Sequence, residues 1–301
     1  MQLDSLRLGN IGYQPGWWEI LGSPFMRNAA IGGTIVALAA GVIGYFVVVR
    51  QSAFAAHALA HIGLPGATGA VLFGLSPVIG LGAFCVGGAI LISVLGERAS
   101  ERDIATGTVL AFATGLGLYF NSLATRSSST MTNVLFGNLL AITRGQLVVF
   151  AALLSVVAVT VAVVYRPLLY SSVNAAVAQA KGIPVRGLSL LFMVLLALAV
   201  TMAIQAVGTL LLFALLITPA ATAISLTPRP VLAMAISTAL AVACVWVGLA
   251  ASAMFNAPPS FLIVTFATAV WLAVWLRDRR RRKVFGEPAA AASAPQNAGH
   301  R

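Results

Sequence analysis

The sequence predicts an all-α integral membrane protein, a polytopic bundle of about nine transmembrane helices, with roughly eight to ten as the range. Of its 301 residues, 60% are hydrophobic and only 8% are charged, and the mean hydropathy is +0.98. A soluble domain has about a quarter of its residues charged. Here the charges lie at the ends of apolar runs. Each run is close to the ~20 residues that a helix needs to cross the hydrocarbon core of a bilayer. We therefore expect a multi-pass protein of the cell membrane.

Each transmembrane segment is predicted from one apolar run. The stretch 188–226 is nearly unbroken, so it predicts either two spans with a tight turn near Gly208 or a longer helix followed by a re-entrant piece. Pro219 should break or kink the later span, and the one proline and two glycines of 63–66 predict an irregular helix there. The predicted spans are 27–49, 54–75, 78–95, 104–124, 147–165, 188–206, 207–226, 231–253 and 261–276.

Basic residues predict how the chain is oriented and divided. The formal net charge is +11, but six of the basic residues form the run Arg277–Lys283 directly after the last apolar segment. This position is typical of a cytoplasmic boundary beside anionic lipid, so nucleic acid is not expected as a partner. The predicted parts are an extracytoplasmic or interfacial segment, a transmembrane domain, and a basic boundary with a disordered tail: 1–26, 27–276 and 277–301.

Two histidines one helical turn apart form the candidate metal site. His57 and His61 lie in an otherwise membrane-spanning stretch, and their spacing puts both imidazoles on one face of a helix. Ionisable groups inside a bilayer are costly and usually face a bundle interior or a water-filled path. Neutral imidazole is also the commonest metal ligand, so the pair indicates a path for a cation. The alternatives are interhelical hydrogen bonding and a position at the lipid headgroups.

Other polar residues inside apolar runs are candidates to line the same path, although interhelical hydrogen bonding is the more common role for such residues. They are Asn121, Gln205 and Thr218.

The loop 171–187 is too polar to span the membrane, yet it predicts a short helix. Asn174 suits an N-cap, Ala175–Lys181 are good helix formers, and Gly182 suits a C-cap. A helix between two spans can receive force from a soluble motor. The alternative is a helix lying idle on the headgroups.

Eight short blocks follow one another along the chain: Phe25-Met-Arg-Asn-Ala-Ala30, Gly44-Tyr-Phe-Val-Val-Val-Arg50, Arg102-Asp-Ile-Ala-Thr-Gly107, Leu135-Phe-Gly-Asn-Leu-Leu140, Ala178-Gln-Ala-Lys-Gly-Ile183, Val207-Gly-Thr-Leu-Leu-Leu212, Leu215-Leu-Ile-Thr-Pro-Ala-Ala-Thr-Ala223 and Gly248-Leu-Ala-Ala-Ser252. In this order they resemble the permease subunits of ATP-binding cassette (ABC) importers for zinc, manganese or iron, the ABC-3 type. The resemblance covers roughly residues 25–276.

The resemblance implies a division of labour among subunits. The chain would be a non-enzymatic permease in a homodimer, joined by two ABC ATPase subunits and an extracytoplasmic metal-binding protein. The sequence contains no GxxxxGK[ST] motif, so ATP hydrolysis is expected in another polypeptide. Loop 171–187 resembles the family's coupling helix, and the residues expected to act in coupling are Asn174, Ala178, Lys181, Gly182 and Ile183.

The resemblance also bears on the transported metal. Many relatives have an aspartate four residues before the histidine, and here His57 stands at the aspartate position while His61 matches the histidine. Replacing a carboxylate by imidazole favours zinc over manganese. We therefore expect no permanently bound cofactor and a transported divalent ion, Zn²⁺ first, with Mn²⁺ or Fe²⁺ as the other candidates.

Three other functions are the alternatives. A secondary transporter or channel driven by an ion gradient would need no motor and no loop 171–187. An ABC permease for a metal chelate would need a wider lumen with fewer ligands. An intramembrane metalloprotease would need a glutamate as in HExxH, and none lies between His57 and His61.

Overall fold

The computed structural model describes residues 17–96, 99–123, 132 and 134–284, and within them the chain is helical, with no strand. This confirms the predicted all-α membrane bundle. The helices are α1 (Trp17–Gly22), α2 (Pro24–Val49), α3 (Ala53–Leu72), α4 (Pro77–Leu95), α5 (Ala99–Leu123), a 3₁₀ turn (Leu139–Ala141), α6 (Arg144–Val173), α7 (Ala175–Ala180), α8 (Val185–Val207), α9 (Thr209–Leu216), α10 (Thr218–Leu226), α11 (Pro230–Phe255) and α12 (Pro259–Val284).

Seven helices of the described part are long and apolar enough to cross a membrane, namely α2, α4, α5, α6, α8, α11 and α12. The two other predicted spans correspond to α3, which is 20 residues long, and to α9 and α10 taken together. The predicted count of nine is therefore approximate. The span formed by α9 and α10 is divided into two short helices, and α3, which carries the two histidines, is not among the seven.

The stretch 188–226 forms two spans with a tight turn between them, which is the first of the two predicted arrangements. The turn between them is Gly208, which has φ +85, a conformation that a glycine adopts without steric cost. The second span is broken between Leu216 and Thr218. Pro219 follows in the first turn of α10, where its missing N–H costs no helical hydrogen bond. The predicted break at this proline is confirmed.

The prediction of an irregular helix after His61 is wrong. Helix α3 continues through Pro65 to Leu72. Proline removes one backbone donor, but α3 is enclosed by α4 and α5, and packing there outweighs the local preference. The hydroxyl of Thr68 donates to the carbonyl of Leu64 at 3.0 Å, which adds a local hydrogen bond beside the proline.

The bundle is held by close helix approaches at small residues. Helices α2 and α8 are the most enclosed of the seven long spans, and α2 packs against α6, α8 and α11. Gly41 of α2 meets the backbone of Thr238, and the hydroxyl of Ser237 donates to the Gly41 carbonyl at 2.9 Å. In lipid, where apolar side chains gain little from association, such close packing is a main source of helix affinity.

Successive spans alternate in direction, so the isolated arginines gather at one end of the bundle. This arginine-rich end contains Arg50 after α2, Arg102 in the first turns of α5, Arg186 at the start of α8 and Arg229 before α11. Positively charged ends face the cytoplasm in membrane proteins. The other end of the bundle is called the opposite end below.

The last helix is longer than predicted. Helix α12 extends through the basic run to Val284, whereas the predicted span ended at 276. The guanidinium of Arg279 lies 4.1 Å from the centroid of the Trp275 ring, a favourable i, i+4 contact on the helical part beyond the apolar run. The residues after 284, which include the expected disordered tail, and the first 16 residues of the N-terminal segment lie outside the described residues.

We expect Gly44→Ala to destabilise the bundle. A Cβ at Gly44 would overlap the carbonyl oxygen of Leu216 at the end of α9, and forced overpacking costs roughly 1–3 kcal/mol. Thermal unfolding in detergent should show a lower transition temperature for this variant. Gly87→Ala is the matched control, because a Cβ at Gly87 meets no atom within 4 Å. Equal stability of the two variants would contradict the close approach of α2 and α9.

Candidate functional site

The two predicted metal ligands lie together on α3. The ring centroids of His57 and His61 are 4.8 Å apart, with the planes inclined by 68°. Both side chains are partly buried. Because the residues are one helical turn apart, their rings project from the same face of α3, close enough for both to bind one ion after small rotations.

The pair lies deep in the bundle. The thiol of Cys85 donates to the carbonyl of Leu59, which lies between the two histidines, at 3.3 Å. Cys85 is close to the middle of α4, and Gly88, also near the middle, packs against Ile62. His61 is therefore level with the middle of α4, and His57 lies about one helical turn closer to the start of α3. This position favours the bundle interior over the lipid headgroups for the pair.

One chain alone supplies an incomplete metal site. The centroid of the Phe213 ring on α9 is 6.4 Å from that of His57, and Phe213 is 43% exposed. Within the described residues, no group of three or more His, Cys, Asp or Glu side chains is placed to hold a metal ion. Two imidazoles leave a divalent ion short of its usual four or more ligands. A metal ion held by this pair would need further ligands from backbone or other groups of the chain, from water or from another chain.

Pro65 offers one backbone ligand, which the sequence reasoning missed. In an α-helix the N–H of residue 65 would bond the carbonyl of His61, but proline has no N–H. The His61 carbonyl is thus released from its usual helical partner beside the imidazoles. The signal was available in the sequence as a proline four residues after His61.

Gln205 lines a cavity toward the opposite end of the bundle. Its side-chain oxygen accepts from the Gln146 amide at 3.4 Å, and its own amide donates to the Thr201 carbonyl at 3.3 Å. The cavity measures about 330 Å³ and is also lined by Leu81 and Ile204. Both of these residues pack against Gly63 of α3, so the cavity approaches the histidines to within about one helical turn.

The other two predicted path residues are placed differently. Asn121 lies near the end of α5, and its Oδ1 is buried with no hydrogen-bond partner. Thr218 is partly buried at the start of α10, and its carbonyl accepts from the Thr222 hydroxyl at 2.8 Å. Among the described residues, no hydrogen bond or ring contact joins Asn121 or Thr218 to the histidine pair. Their role in the path stays a prediction.

The predicted short helix in loop 171–187 is α7, with the predicted caps. The side chain of Asn174 accepts from the backbone N–H of Val177 at 3.0 Å, and Gly182 has φ +78. Ala178 is buried, and its carbonyl accepts from the Ile183 N–H at 3.1 Å. The ammonium of Lys181 lies 5.4 Å from the Tyr170 ring centroid.

The buried side of α7 rests on the bundle, and its other side is free for a partner. The exposed residues of α7 are Ala175, Ala176, Val177, Gln179 and Ala180. They form a small, mostly apolar surface at the arginine-rich end. Of the predicted coupling residues, Ala178 therefore anchors α7, while the exposed face contacts solvent.

Arg50 joins this segment to α3, a connection that sequence reasoning missed. Its Nη2 donates to the Ser171 hydroxyl at 2.9 Å, and its guanidinium lies 4.9 Å from the Phe192 ring centroid. Arg50 precedes the first residue of α3 by three positions. Its partner Ser171 is 121 residues away in the chain, and a separation of that size leaves no local signal.

Comparison with known proteins shows the family. A model of the ABC 3 transport family matches residues 22–278. The chain belongs to this family. A relative, the manganese transport system membrane protein MntC of Listeria innocua, is 33% identical over 265 residues, covering 87% of this chain and 94% of that protein. The manganese import system permease protein ScaB of Streptococcus gordonii is 30% identical, covering 85% and 93%.

Solved structures share the fold of this ABC 3 family member. PsaBC from Streptococcus pneumoniae in complex with Fab has a TM-score of 0.79 at 28% identity, covering 90% of this chain and 99% of that chain. An inward-facing conformation of a putative metal-chelate type ABC transporter has a TM-score of 0.62 at 15% identity, covering 84% and 86%. The second likeness concerns the fold alone. The protein is a multi-pass transport permease of the cell membrane.

We expect Asn174→Ala to loosen α7. The variant removes the cap that the Asn174 side chain provides to the Val177 N–H, and loss of such a cap costs about 1 kcal/mol. Hydrogen exchange of the 175–180 amides should accelerate by roughly fivefold. Asn174→Ser keeps a capping oxygen and is the control. Unchanged exchange in Asn174→Ala would contradict the cap.

Proposed function

We propose that this chain is the permease of an ABC importer for a divalent transition metal, and that His57 and His61 hold the ion in transit. The observation that carries the proposal is the edge-to-face imidazole pair inside the bundle, with ring centroids 4.8 Å apart. Buried ionisable side chains in a membrane mark substrate paths by default. Relatives named as manganese transport proteins support a metal as the cargo.

The identity of the metal depends on the ligand types. The names of the relatives favour manganese. The imidazole of His57 favours zinc, because borderline metals bind nitrogen more tightly than Mn²⁺ does. An oxygen ligand such as the His61 carbonyl moderates that preference, since Mn²⁺ accepts carbonyl and water oxygens. We propose that the chain carries both ions and that position 57 sets their ratio.

A second copy of the chain would complete the site. The single chain leaves His57 and His61 partly exposed, and exposed imidazoles at the bundle centre need a protein or aqueous surface opposite them. A two-fold homodimer would face one histidine pair with another and enclose the path between the two copies. Four imidazoles and two released carbonyls would then surround the ion.

The proposed route begins at the opposite end. A metal delivered there by an extracytoplasmic binding protein would pass the cavity beside Gln205 and reach His61, then His57. An imidazole must be neutral to bind the ion. From His57 the ion would leave toward the arginine-rich end, which we propose faces the cytoplasm.

Energy would come from a separate ATPase subunit docked on the exposed face of α7. Movement of α7 would be transmitted by Ser171, which receives a hydrogen bond from Arg50 at 2.9 Å. Because Arg50 leads into α3, a shift of the coupling segment would change the orientation of the helix that carries both histidines. This provides a direct mechanical connection between the motor surface and the metal ligands.

We expect His57→Ala and His61→Ala to abolish most metal uptake by proteoliposomes that contain permease, ATPase and binding protein. Each variant removes half of the imidazoles of the proposed site, one from each copy, and we expect metal affinity to fall by roughly tenfold or more. ATPase activity of the assembled complex should be retained. His300→Ala, a histidine change outside the described residues, is the control. Normal uptake by both histidine variants would show that the pair is structural.

The same proteoliposomes test the energy source. Uptake should require both the ATPase subunit and ATP. Uptake that persists in vesicles lacking the ATPase subunit, driven by an ion gradient, would replace the ABC mechanism by secondary transport.

We expect His57→Asp to raise the ratio of manganese to zinc uptake. The carboxylate is a harder ligand than imidazole and suits Mn²⁺ better. Uptake is measured with both ions in competition, and His57→Asn serves as a neutral oxygen-bearing control. A ratio that stays constant in His57→Asp would exclude position 57 from metal selection.

A further inference from the structure

A second polar site lies at the arginine-rich end, apart from the histidines. A cavity of about 480 Å³ opens where α2, α4, α5, α6 and α8 end or begin. Its wall is unusual for a membrane bundle because arginines and serines dominate it. The lining residues are Arg50, Ser93, Val94, Gly96, Arg102, Ser171, Ser172, Ala175, Val185, Arg186 and Ser189.

Unsatisfied donors gather in this cavity. Among the described residues, four buried side-chain polar atoms lack a hydrogen-bond partner, and two of them, Arg50 Nη1 and Ser93 Oγ, belong to its wall. A buried donor without a partner costs free energy, and more when it is charged. Two such groups on one cavity indicate a shared acceptor that the described part of the protein does not provide.

The partnered groups keep the donors in position. Arg50 Nη2 donates to Ser171 at 2.9 Å, and the face of the guanidinium rests on the Phe192 ring at 4.9 Å. Arg102 Nη2 donates to the Ser189 hydroxyl at 3.3 Å. Each guanidinium is thus fixed by a neutral hydroxyl, which leaves its positive charge without compensation from that contact.

The charges of this cavity favour an anion. Burial, together with the positive charge of Arg102, lowers the pKa of Arg50 to about 10. Arg50 is still protonated at neutral pH, so two like charges share a confined space. An anion between them would remove the repulsion and accept from the unpartnered Nη1.

We propose that this cavity binds a phosphate group through Arg50 and Arg102, with Ser93 as an additional donor. Guanidinium groups pair with phosphate oxygens through parallel N–H donors, and hydroxyls complete the shell. The volume of about 480 Å³ exceeds that of one phosphate ion and accommodates an ester. Two sources have this chemistry, the headgroup of a phospholipid in the adjacent leaflet and soluble phosphate.

The site would act on the coupling segment. Its wall includes Ser172 and Ala175 on either side of the α7 N-cap, and Arg50 before α3. A bound phosphate would hold these elements together and stiffen the connection between α7 and the histidine helix. The binding site itself does not depend on which metal is transported.

The test uses full-length permease, delipidated in a neutral detergent, with inorganic phosphate as the probe. We expect phosphate to raise the thermal transition more than chloride at equal ionic strength. Arg102→Gln should weaken the apparent affinity by roughly tenfold or more, and Ser93→Ala by roughly twofold to tenfold. Arg166→Gln is the matched control, because Arg166 is exposed near the same end without lining the cavity.

A second arm tests the lipid source by native mass spectrometry of the full-length protein from phosphatidylglycerol nanodiscs. Retained phospholipid that is lost in Arg102→Gln and Ser93→Ala, with no response to inorganic phosphate, assigns the site to a lipid headgroup. A response to phosphate in detergent assigns it to a soluble anion. The proposal is overturned if neither probe binds, or if Arg166→Gln reduces binding as much as Arg102→Gln.

Ser93→Ala keeps the test decisive if the arginine variants fail to fold. Without a ligand, removal of a hydroxyl that has no partner should leave stability unchanged or raise it, with no effect on phosphate dependence. Weaker phosphate or lipid retention in this variant supports the proposal, and unchanged retention overturns it.

Discussion

The structure depends on the cost of placing polar groups inside hydrocarbon. Helix α3 carries two imidazoles and a proline that frees a backbone carbonyl, and none of these is tolerated facing lipid. The bundle meets this constraint by enclosing α3 between α4 and α5 and against α8 and α9. The partly exposed histidine face is then the one surface of α3 that requires a partner or a water-filled path.

Close enclosure of α3 is possible because its neighbours are small. Gly66 and Gly80 approach each other so closely that a Cβ on either would overlap the other's carbonyl. Gly63 likewise receives the side chains of Cys85, Leu81 and Ile204. These contacts give α3 a defined depth and rotation, and the positions of the imidazoles follow from them. Packing at glycine thus determines the geometry of the candidate metal site.

The arginine-rich end has a different physical basis. Arg50, Arg102 and their serine partners form an electropositive layer between helix α7 and the spans. The hydrogen bond from Arg50 to Ser171 connects the end of α2 to the end of α6, which are far apart in sequence. A long arginine side chain suits this role, since its stem packs against apolar groups while its fork reaches several polar ones. Coupling and anion binding are therefore proposed for neighbouring groups of one layer.

Much of the architecture was available from the sequence. The lengths of the apolar runs predicted the transmembrane spans, because the thickness of a bilayer sets a minimum length for a spanning helix. Prolines and glycines gave several ends, including the turn at Gly208 and the break before Pro219. Asn174 and Gly182 gave both caps of α7, because capping is a local interaction. The spacing of His57 and His61 gave a shared face, since helical periodicity alone determines it.

Other features were decided only by tertiary structure. Pro65 was expected to disturb α3, yet the helix continues, because enclosure by neighbouring helices outweighs one missing hydrogen bond. The depth of the histidines comes from the contact of Cys85 with Leu59, and the proximity of Gln205 to their helix comes from the packing of Ile204 on Gly63. The Arg50–Ser171 bond and the cavity beside it join segments from across the chain. Local patterns determine which residues share a helix face, whereas long-range packing determines what that face meets.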